Sequence, residues 1–245
     1  MTLVHQRKNS QGQLFLSGFG ASTVMFHGTS DARSIDERGA IFTRRVVVDF
    51  ILDLVGYTAN LDLYTMSLLE PSFGDGDFLL PAIERLLAAR HRGMRAGEDI
   101  GSIDHCIQAV ELHAESYIVT NNKVIALLES ASFHKDEATR IADIWLVQGD
   151  YLLEELRPEF DVIVGNPPYV RQELIPGPLL EEYRRRFTTL YDRADLYIPF
   201  IERSLCLLKD RGQLSFICSD RWMKNKYGGP LRAMVSDDFQ LREYV

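Results

Sequence analysis

The chain has 245 residues, of which 46% are hydrophobic and 25% are charged, a composition that excludes a disordered tail or a fibre. Its length fits one large α/β domain and hardly leaves room for a second complete one. The formal net charge is −8, which argues against a surface that binds nucleic acid over its whole area. No run approaches the roughly 18 apolar residues of a membrane span, and the start is polar, so we expect a cytoplasmic protein without membrane contact.

Basic charge is concentrated in the last third of the chain. Residues 171–245 carry 13 Lys and Arg against 11 Asp and Glu, whereas the preceding residues carry 14 against 24. A basic footprint for phosphate is therefore predicted there, with Arg184, Arg185, Arg186, Lys224 and Lys226 as its candidates. The three cysteines lack CxxC spacing and the six histidines form no ligand pair, so neither a disulfide framework nor a metal site is indicated.

Apolar periodicity predicts alternating helices and strands from residue 46 onwards. Residues 1–38 are polar, so we predict no helix or strand there and interpret them as an N-terminal arm. Helices are predicted at 46–54, 77–92, 114–129, 179–187, 196–209 and 229–236, and strands at 66–70, 106–112, 141–147, 161–165 and 213–219. Such alternation is typical of βαβ units, and we expect an α/β fold with a mostly parallel sheet covered by helices on both faces. A ligand should then lie at the carboxyl ends of the strands.

A glycine loop follows the first of these strands. Glu70 ends the strand, Gly74 and Gly76 form a tight turn, and a helix begins directly afterwards. Glycines let the backbone approach a ligand, and the helix start offers free N–H groups. The loop is neither a P-loop nor a complete GxGxxG, and its acid favours a cationic or hydroxyl-bearing ligand over a pyrophosphate.

Two further acids end the next two predicted strands. Glu111 can accept hydrogen bonds from both hydroxyls of a ribose, and Asp150 can accept one from an exocyclic adenine amine. Each acid alone is commonly a helix cap or a solvated charge. Because a sheet brings successive strand ends together, the three acids jointly predict one nucleoside-binding crevice.

The fourth strand ends in Asn166, Pro167, Pro168 and Tyr169. The two prolines fix a stiff, extended turn that holds the asparagine at the edge of the sheet. The asparagine oxygen and the Pro167 carbonyl can accept hydrogen bonds from an amine, while the tyrosine ring can stack on a planar base. This segment therefore predicts a site that grips an aromatic amine.

Six ordered segments together resemble the gamma-class adenine-N6-specific DNA methyltransferases of restriction-modification systems. They lie at 39–54, 68–79, 110–117, 149–152, 161–173 and 194–232, so the resemblance covers residues 39–245. It implies a Rossmann-like methyltransferase domain over 39–245 that is incomplete at its C-terminal end, before the last strands, with residues 1–38 as an N-terminal arm. The target-recognition domain of that class has no visible counterpart in this chain.

The resemblance also implies S-adenosylmethionine as cofactor and double-stranded DNA as partner, together with a target-recognition domain or subunit outside this chain. Thr43 would lie near the methionine end of the cofactor, and Glu70, Phe73, Gly74 and Gly76 along its methionine and sugar. Glu111 would bind its ribose and Asp150 its adenine. The flipped target adenine would be held by Asn166, Pro167, Pro168 and Tyr169. Ser72 to Gly76 and Arg44 depart from the residues common in the class.

Two other functions remain open. Methyltransferases that act on a glutamine amide of a protein also use an Asn-Pro-Pro-Tyr segment, because a carboxamide and an aminopurine present similar N–H donors. A non-catalytic or split subunit that needs a partner chain is the second alternative.

Overall fold

A seven-stranded sheet organises residues 1–5 and 43–244, which are the residues that the computed structural model describes. Its spatial order is β4-β3-β2-β5-β6-β1-β7. The strands are β1 (Thr2–His5), β2 (Leu68–Glu70), β3 (Ile107–Glu111), β4 (Leu146–Gln148), β5 (Phe160–Gly165), β6 (Leu208–Phe216) and β7 (Phe239–Glu243). Each adjacent pair in the order β4-β3-β2-β5-β6 is parallel, while β1 pairs antiparallel with both β6 and β7. The predicted mostly parallel α/β sheet is thus confirmed.

Eight helices surround the sheet in the described part of the chain. They are α1 (Arg45–Leu54), α2 (Leu79–Arg95), α3 (Ala114–Ser130), α4 (Lys135–Trp145), α5 (Gly177–Arg186), α6 (Tyr197–Cys206), α7 (Arg221–Lys224) and α8 (Gly229–Asp238). None of the described helices is long and apolar enough to cross a membrane.

The core has two layers because successive strand residues point to opposite faces of the sheet. Leu68 of β2 belongs to an apolar cluster with α1 to α4, whereas its neighbour Leu69 belongs to a second cluster with α5, α6 and α8. The same alternation separates Val162 from Ile163 in β5. Helices therefore cover both faces, and only the strand ends remain for a ligand.

The strand predicted at 141–147 is wrong for most of its length. Residues 135–145 form helix α4, and only Leu146–Gln148 form strand β4. Ala138, Ile141, Ala142 and Trp145 are buried, at the spacing of one helical face. A short apolar run is compatible with a buried helix as well as with a strand. Here the run continues the helical spacing of buried residues that begins at Ala138, and most of it therefore belongs to α4.

The N-terminal segment contributes a strand that the sequence did not predict. Thr2–His5 lie between β6 and β7, although residues 1–38 were assigned no fixed fold. The side-chain oxygens of Thr2 and Ser215 are hydrogen-bonded at 3.0 Å, and Leu3 is fully buried. The remainder of that predicted arm, residues 6–38, lies outside the described residues.

Candidate functional site

The predicted site residues lie along one edge of the sheet. Glu70 is the last residue of β2, Glu111 is the last of β3, and Asp150 follows β4 by two positions. Asn166 follows β5 directly. These four strands are adjacent and parallel, so all four side chains start from the carboxyl edge of the sheet. The sheet therefore brings together the residues that the sequence predicted to share a crevice.

Glu111 fixes the glycine loop to the end of β3. One of its carboxylate oxygens accepts a hydrogen bond from the backbone N–H of Gly74, and the other accepts one from His113, both at 2.7 Å. Each oxygen keeps a second lone pair for a ligand hydroxyl. Glu111 thus orders the loop and remains able to accept from a ribose.

The loop has its shape because of Gly74 and Gly76. Their φ angles are +50° and +90°, in the region that side-chain-bearing residues rarely adopt. A Cβ on Gly76 would lie 3.0 Å from Leu80 and 3.1 Å from Thr120. The Thr120 hydroxyl in turn donates a hydrogen bond to the Gly74 carbonyl at 2.8 Å. Helices α2 and α3 therefore hold the loop closely, and glycine is required at its second turn.

Phe73 opens the loop, but its ring is packed into the core. Only 2% of the residue is exposed, and the ring centroid lies 6.1 Å from that of Tyr117. Its backbone N–H donates to the carbonyl of Val110 at 3.1 Å. Its carbonyl accepts a hydrogen bond from the Gly76 N–H at 2.8 Å, so the backbone of Phe73 joins the glycine loop to β3.

Glu70 is a buried acid in an electronegative surrounding. It is 2% exposed, and its Oε2 atom has no hydrogen-bond partner among the described residues. Burial raises the pKa of Glu70 well above the usual carboxyl value, and the nearby Asp77 and Glu111 raise it further. A cationic ligand would reverse this effect, because it favours the charged carboxylate.

Thr43 connects the glycine loop to Asn166. Its backbone N–H donates to Asp77 at 2.6 Å, and its hydroxyl oxygen accepts a hydrogen bond of 3.4 Å from the side-chain amide of Asn166. Thr43 lies two residues before α1, so that helix is anchored at the carboxyl edge of the sheet. Asp77 was not predicted as a site residue. It lies directly after Gly76, in the turn that precedes α2.

Asp150 makes two internal contacts. Its carboxylate accepts a hydrogen bond from the backbone N–H of Leu152 at 2.9 Å and another from the hydroxyl of Tyr183, on helix α5. Burial raises the pKa of Asp150, and both hydrogen bonds oppose that rise. The sequence offered no signal for Tyr183, because its partner is 33 residues away and the helix pattern predicts only a buried position.

The segment from Asn166 to Tyr169 is held at both ends. Strand β5 ends at Gly165, and the backbone N–H of Leu196 donates to the carbonyl of Val170 at 2.9 Å. The Tyr169 hydroxyl donates to the carbonyl of Ile217 at 3.1 Å, which fixes the direction of its partly exposed ring. Burial raises the pKa of Tyr169 to about 12, so the phenol stays neutral.

Tyr169 also contacts a second aromatic ring. The centroid of buried Tyr197 on α6 lies 5.9 Å from that of Tyr169, with an interplanar angle of 43°. Tyr169 lines a surface cleft of about 540 Å³ together with residues of the segments 171–174 and 193–195. Among the described residues, no group of three or more potential ligands could hold a metal ion.

The sequence matches known restriction-modification methylases. Residues 94–245 match the family described as Eco57I restriction-modification methylase. The chain is 57% identical over 211 residues to the type II methyltransferase M.PaeR7I of Pseudomonas aeruginosa, covering 86% of this chain and 37% of that protein. It is 55% identical over 214 residues to M.XhoI of Xanthomonas vasicola, covering 86% and 39% respectively. The chain thus spans about two fifths of the length of these relatives.

Solved structures with the same fold are much more distant in sequence. A putative class I S-adenosylmethionine-dependent methyltransferase from Listeria monocytogenes superposes with a TM-score of 0.54 at 14% identity, covering 86% of this chain and 54% of that one. The DrdV–DNA complex superposes with a TM-score of 0.55 at 18% identity, covering 82% and 22%. At such identities the similarity establishes the methyltransferase fold.

Proposed function

Because the chain belongs to the Eco57I restriction-modification methylase family, we propose that it methylates the N6 amine of adenine in double-stranded DNA. The observation that carries the proposal is the position of Asn166, Pro167 and Tyr169 directly after β5, beside the acid-lined edge of the sheet. The relatives named type II methyltransferases support DNA over a protein glutamine as substrate.

The cofactor is S-adenosylmethionine, which supplies an electrophilic methyl group on a sulfonium cation. The site fits such a molecule, because the unpartnered Oε2 of buried Glu70 can accept from or neutralise a cation. Glu111 can accept from the ribose hydroxyls, and Asp150 from the adenine amine. Thr43, which is hydrogen-bonded to both Asp77 and Asn166, and the loop from Phe73 to Gly76 would take the methionine part.

The substrate base must leave the duplex to reach this site. Its N6 amine lies within the paired helix, and rotating the nucleotide outward costs a few kcal/mol of stacking and pairing. Stacking on Tyr169 offsets part of that cost, since a base on an aromatic ring gains about 1–3 kcal/mol. The hydrogen bond from Tyr169 to Ile217 keeps the ring in place and so lowers the entropic cost of stacking.

Asn166 and Pro167 are proposed to activate the amine. Hydrogen bonds from the two N–H groups to the Asn166 side-chain oxygen and the Pro167 carbonyl favour a more tetrahedral nitrogen, whose lone pair then faces the methyl donor. The Thr43 hydroxyl accepts from the Asn166 amide group, which directs the asparagine oxygen to the other side. Both acceptors bind more strongly as positive charge develops on the nitrogen, so they stabilise the transition state selectively.

Substitution of Asn166 tests this proposal. Asn166→Ala should lower the rate of tritium transfer from S-adenosylmethionine to unmethylated genomic DNA by roughly 100- to 1,000-fold, the usual effect of losing one such group. Cofactor affinity in calorimetric titration should stay nearly unchanged, because Asn166 contacts the substrate amine.

Asn122→Ala provides the matched control, since this exposed asparagine lies within α3. The control should retain wild-type transfer. A rate for Asn166→Ala within a few-fold of wild type would show that the assigned role is wrong.

A further inference from the structure

A cleft next to Tyr169 carries two arginines without ion-pair partners. It is lined by Tyr169, Arg171, Glu173, Leu174, Arg193 and Asp195. Arg171 and Arg193 are both exposed, and neither lies within 4.0 Å of a carboxylate of the described residues. Their charge is therefore available to an external anion.

Most of the basic residues predicted from the sequence as a phosphate footprint are engaged elsewhere. Arg184 donates to Gln172, Arg185 and Arg186 pair with Glu182, and Lys224 pairs with Asp220. Lys226 of that footprint has no ion-pair partner among the described residues, and the same holds for Arg171 and Arg193, which line the cleft with Tyr169.

Two hydrogen bonds join the backbone segments that carry the two arginines. Arg171 precedes Gln172, a buried residue whose side-chain amide donates to the carbonyl of Asp192 at 2.6 Å, and Arg193 follows Asp192. The Leu196 to Val170 backbone hydrogen bond joins the same two segments a second time. The two guanidinium groups consequently project from neighbouring backbones that are tied together on both sides of the arginines.

The cleft also carries two acids, Glu173 and Asp195, neither of which is ion-paired with Arg171 or Arg193 among the described residues. Arg171 and Arg221 both act electrostatically on Asp195, and burial of that carboxyl raises its pKa. Arg171 and Arg221 thus offset the charge of Asp195, while Arg193 is a further arginine that lines the cleft. A planar guanidinium matches the geometry of phosphate oxygens and binds them with two parallel hydrogen bonds.

We propose that Arg171 and Arg193 bind a phosphodiester next to the target adenine and so position the extruded nucleotide over Tyr169. The inference rests on the proposed function, because it takes the base on Tyr169 to be a nucleotide of DNA. Since Tyr169 and both arginines line the same cleft, the sugar-phosphate attached to that base passes along the arginines. Phosphate contacts of this kind orient a nucleic acid without reading its sequence.

The salt dependence of DNA binding tests the two positioning residues. Fluorescence anisotropy with a labelled duplex in which one adenine is left unpaired, so that it is easily extruded, should give a slope of log K against log salt that is about 0.9 smaller in the Arg171→Gln/Arg193→Gln double variant, as expected for one lost phosphate contact. Affinity at low salt should fall roughly 10- to 100-fold, the usual effect of losing charge-assisted hydrogen bonds. The KM for DNA should rise, while affinity for S-adenosylmethionine should not change.

Arg140→Gln is the matched control, because Arg140 is an exposed arginine on α4 that pairs with Asp104. It should leave the slope as in wild type. Equal slopes in the double variant and wild type, or no DNA binding by the wild type at low salt, would overturn the phosphate contact. If the slope changes as expected but the wild type methylates no adenine, the contact stands as a DNA contact and the proposed function fails.

Discussion

Replacement of Gly76 by alanine is expected to destabilise the fold by about 2–5 kcal/mol. The φ angle of +90° imposes a strain of roughly 1–2 kcal/mol on any side-chain-bearing residue. The new Cβ would also lie 3.0 Å from Leu80 and 3.1 Å from Thr120, and crowding of this kind costs about 1–3 kcal/mol. Thr120 is fully buried and bonded to the Gly74 carbonyl, so it has little freedom to move away.

Two further glycines separate these contributions. At Gly74 the φ angle is +50°, but no atom lies within 4 Å of a built Cβ. Gly74→Ala should therefore lower the free energy of unfolding only by the backbone strain, about 1–2 kcal/mol. Gly101 is exposed, has no positive φ and has open space, so Gly101→Ala should change stability by less than about 0.5 kcal/mol. The expected order of destabilisation is Gly76, then Gly74, then Gly101.

Urea denaturation followed by tryptophan fluorescence would measure this series. Trp145 and Trp222 are buried in the two different layers of the core, so both faces of the sheet are reported. Equal losses for Gly76→Ala and Gly74→Ala would show that the Cβ is accommodated without crowding. Equal losses for Gly74→Ala and Gly101→Ala would refute the strained loop.

The remaining predictions concern Glu70, which is buried, and Asp150, which is partly buried. The raised pKa means that Glu70 holds a proton in the folded protein that it releases in the unfolded chain. Its contribution to the free energy of unfolding is therefore fully present below the usual carboxyl pKa. The contribution is lost as pH rises through the pKa that Glu70 has in the folded protein. The Glu70→Gln variant should therefore unfold at the same urea concentration as the wild type at low pH and at a higher one as pH rises. It should also bind S-adenosylmethionine more weakly. A difference in urea midpoint between variant and wild type that stays constant across pH would contradict this. Tyr183→Phe removes the hydroxyl that Asp150 accepts, so the pKa of Asp150 should rise further and stability in urea should fall by about 1.5–3 kcal/mol, whereas Tyr191→Phe, at an exposed position, should change little. Wild-type stability in Tyr183→Phe would show that the hydrogen bond is not formed in solution.

The positions of Glu70, Glu111 and Asn166 could be predicted because each lies at the carboxyl end of a short apolar strand. Alternating strands and helices imply a parallel sheet, and a parallel sheet brings the carboxyl ends of its strands to one edge. This inference needs only local patterns and one rule of topology. It places side chains at an edge without giving their partners.

The partners depend on contacts between distant residues. The bond from Thr43 to Asp77 spans 34 residues and the bond from Tyr183 to Asp150 spans 33, and no periodicity reports such pairs. Likewise, Thr2–His5 become a strand by pairing with β6, more than 200 residues later, although the segment itself is too short to carry a pattern. Arg171 and Arg193 could not be singled out from the sequence for the same reason, because a count of charged residues does not show which of them form ion pairs.

The proposed methylation of the adenine N6 amine is tested by the identity of the methylated nucleoside. The protein would be incubated with isotopically labelled S-adenosylmethionine and unmethylated genomic DNA, and the DNA would then be digested to nucleosides for mass spectrometry. We expect label in N6-methyladenine with the wild type and with Asn122→Ala, and roughly 100- to 1,000-fold slower labelling with Asn166→Ala. Label in a cytosine derivative, label in protein glutamine, or no labelled nucleoside at all from a folded, cofactor-binding protein would contradict it.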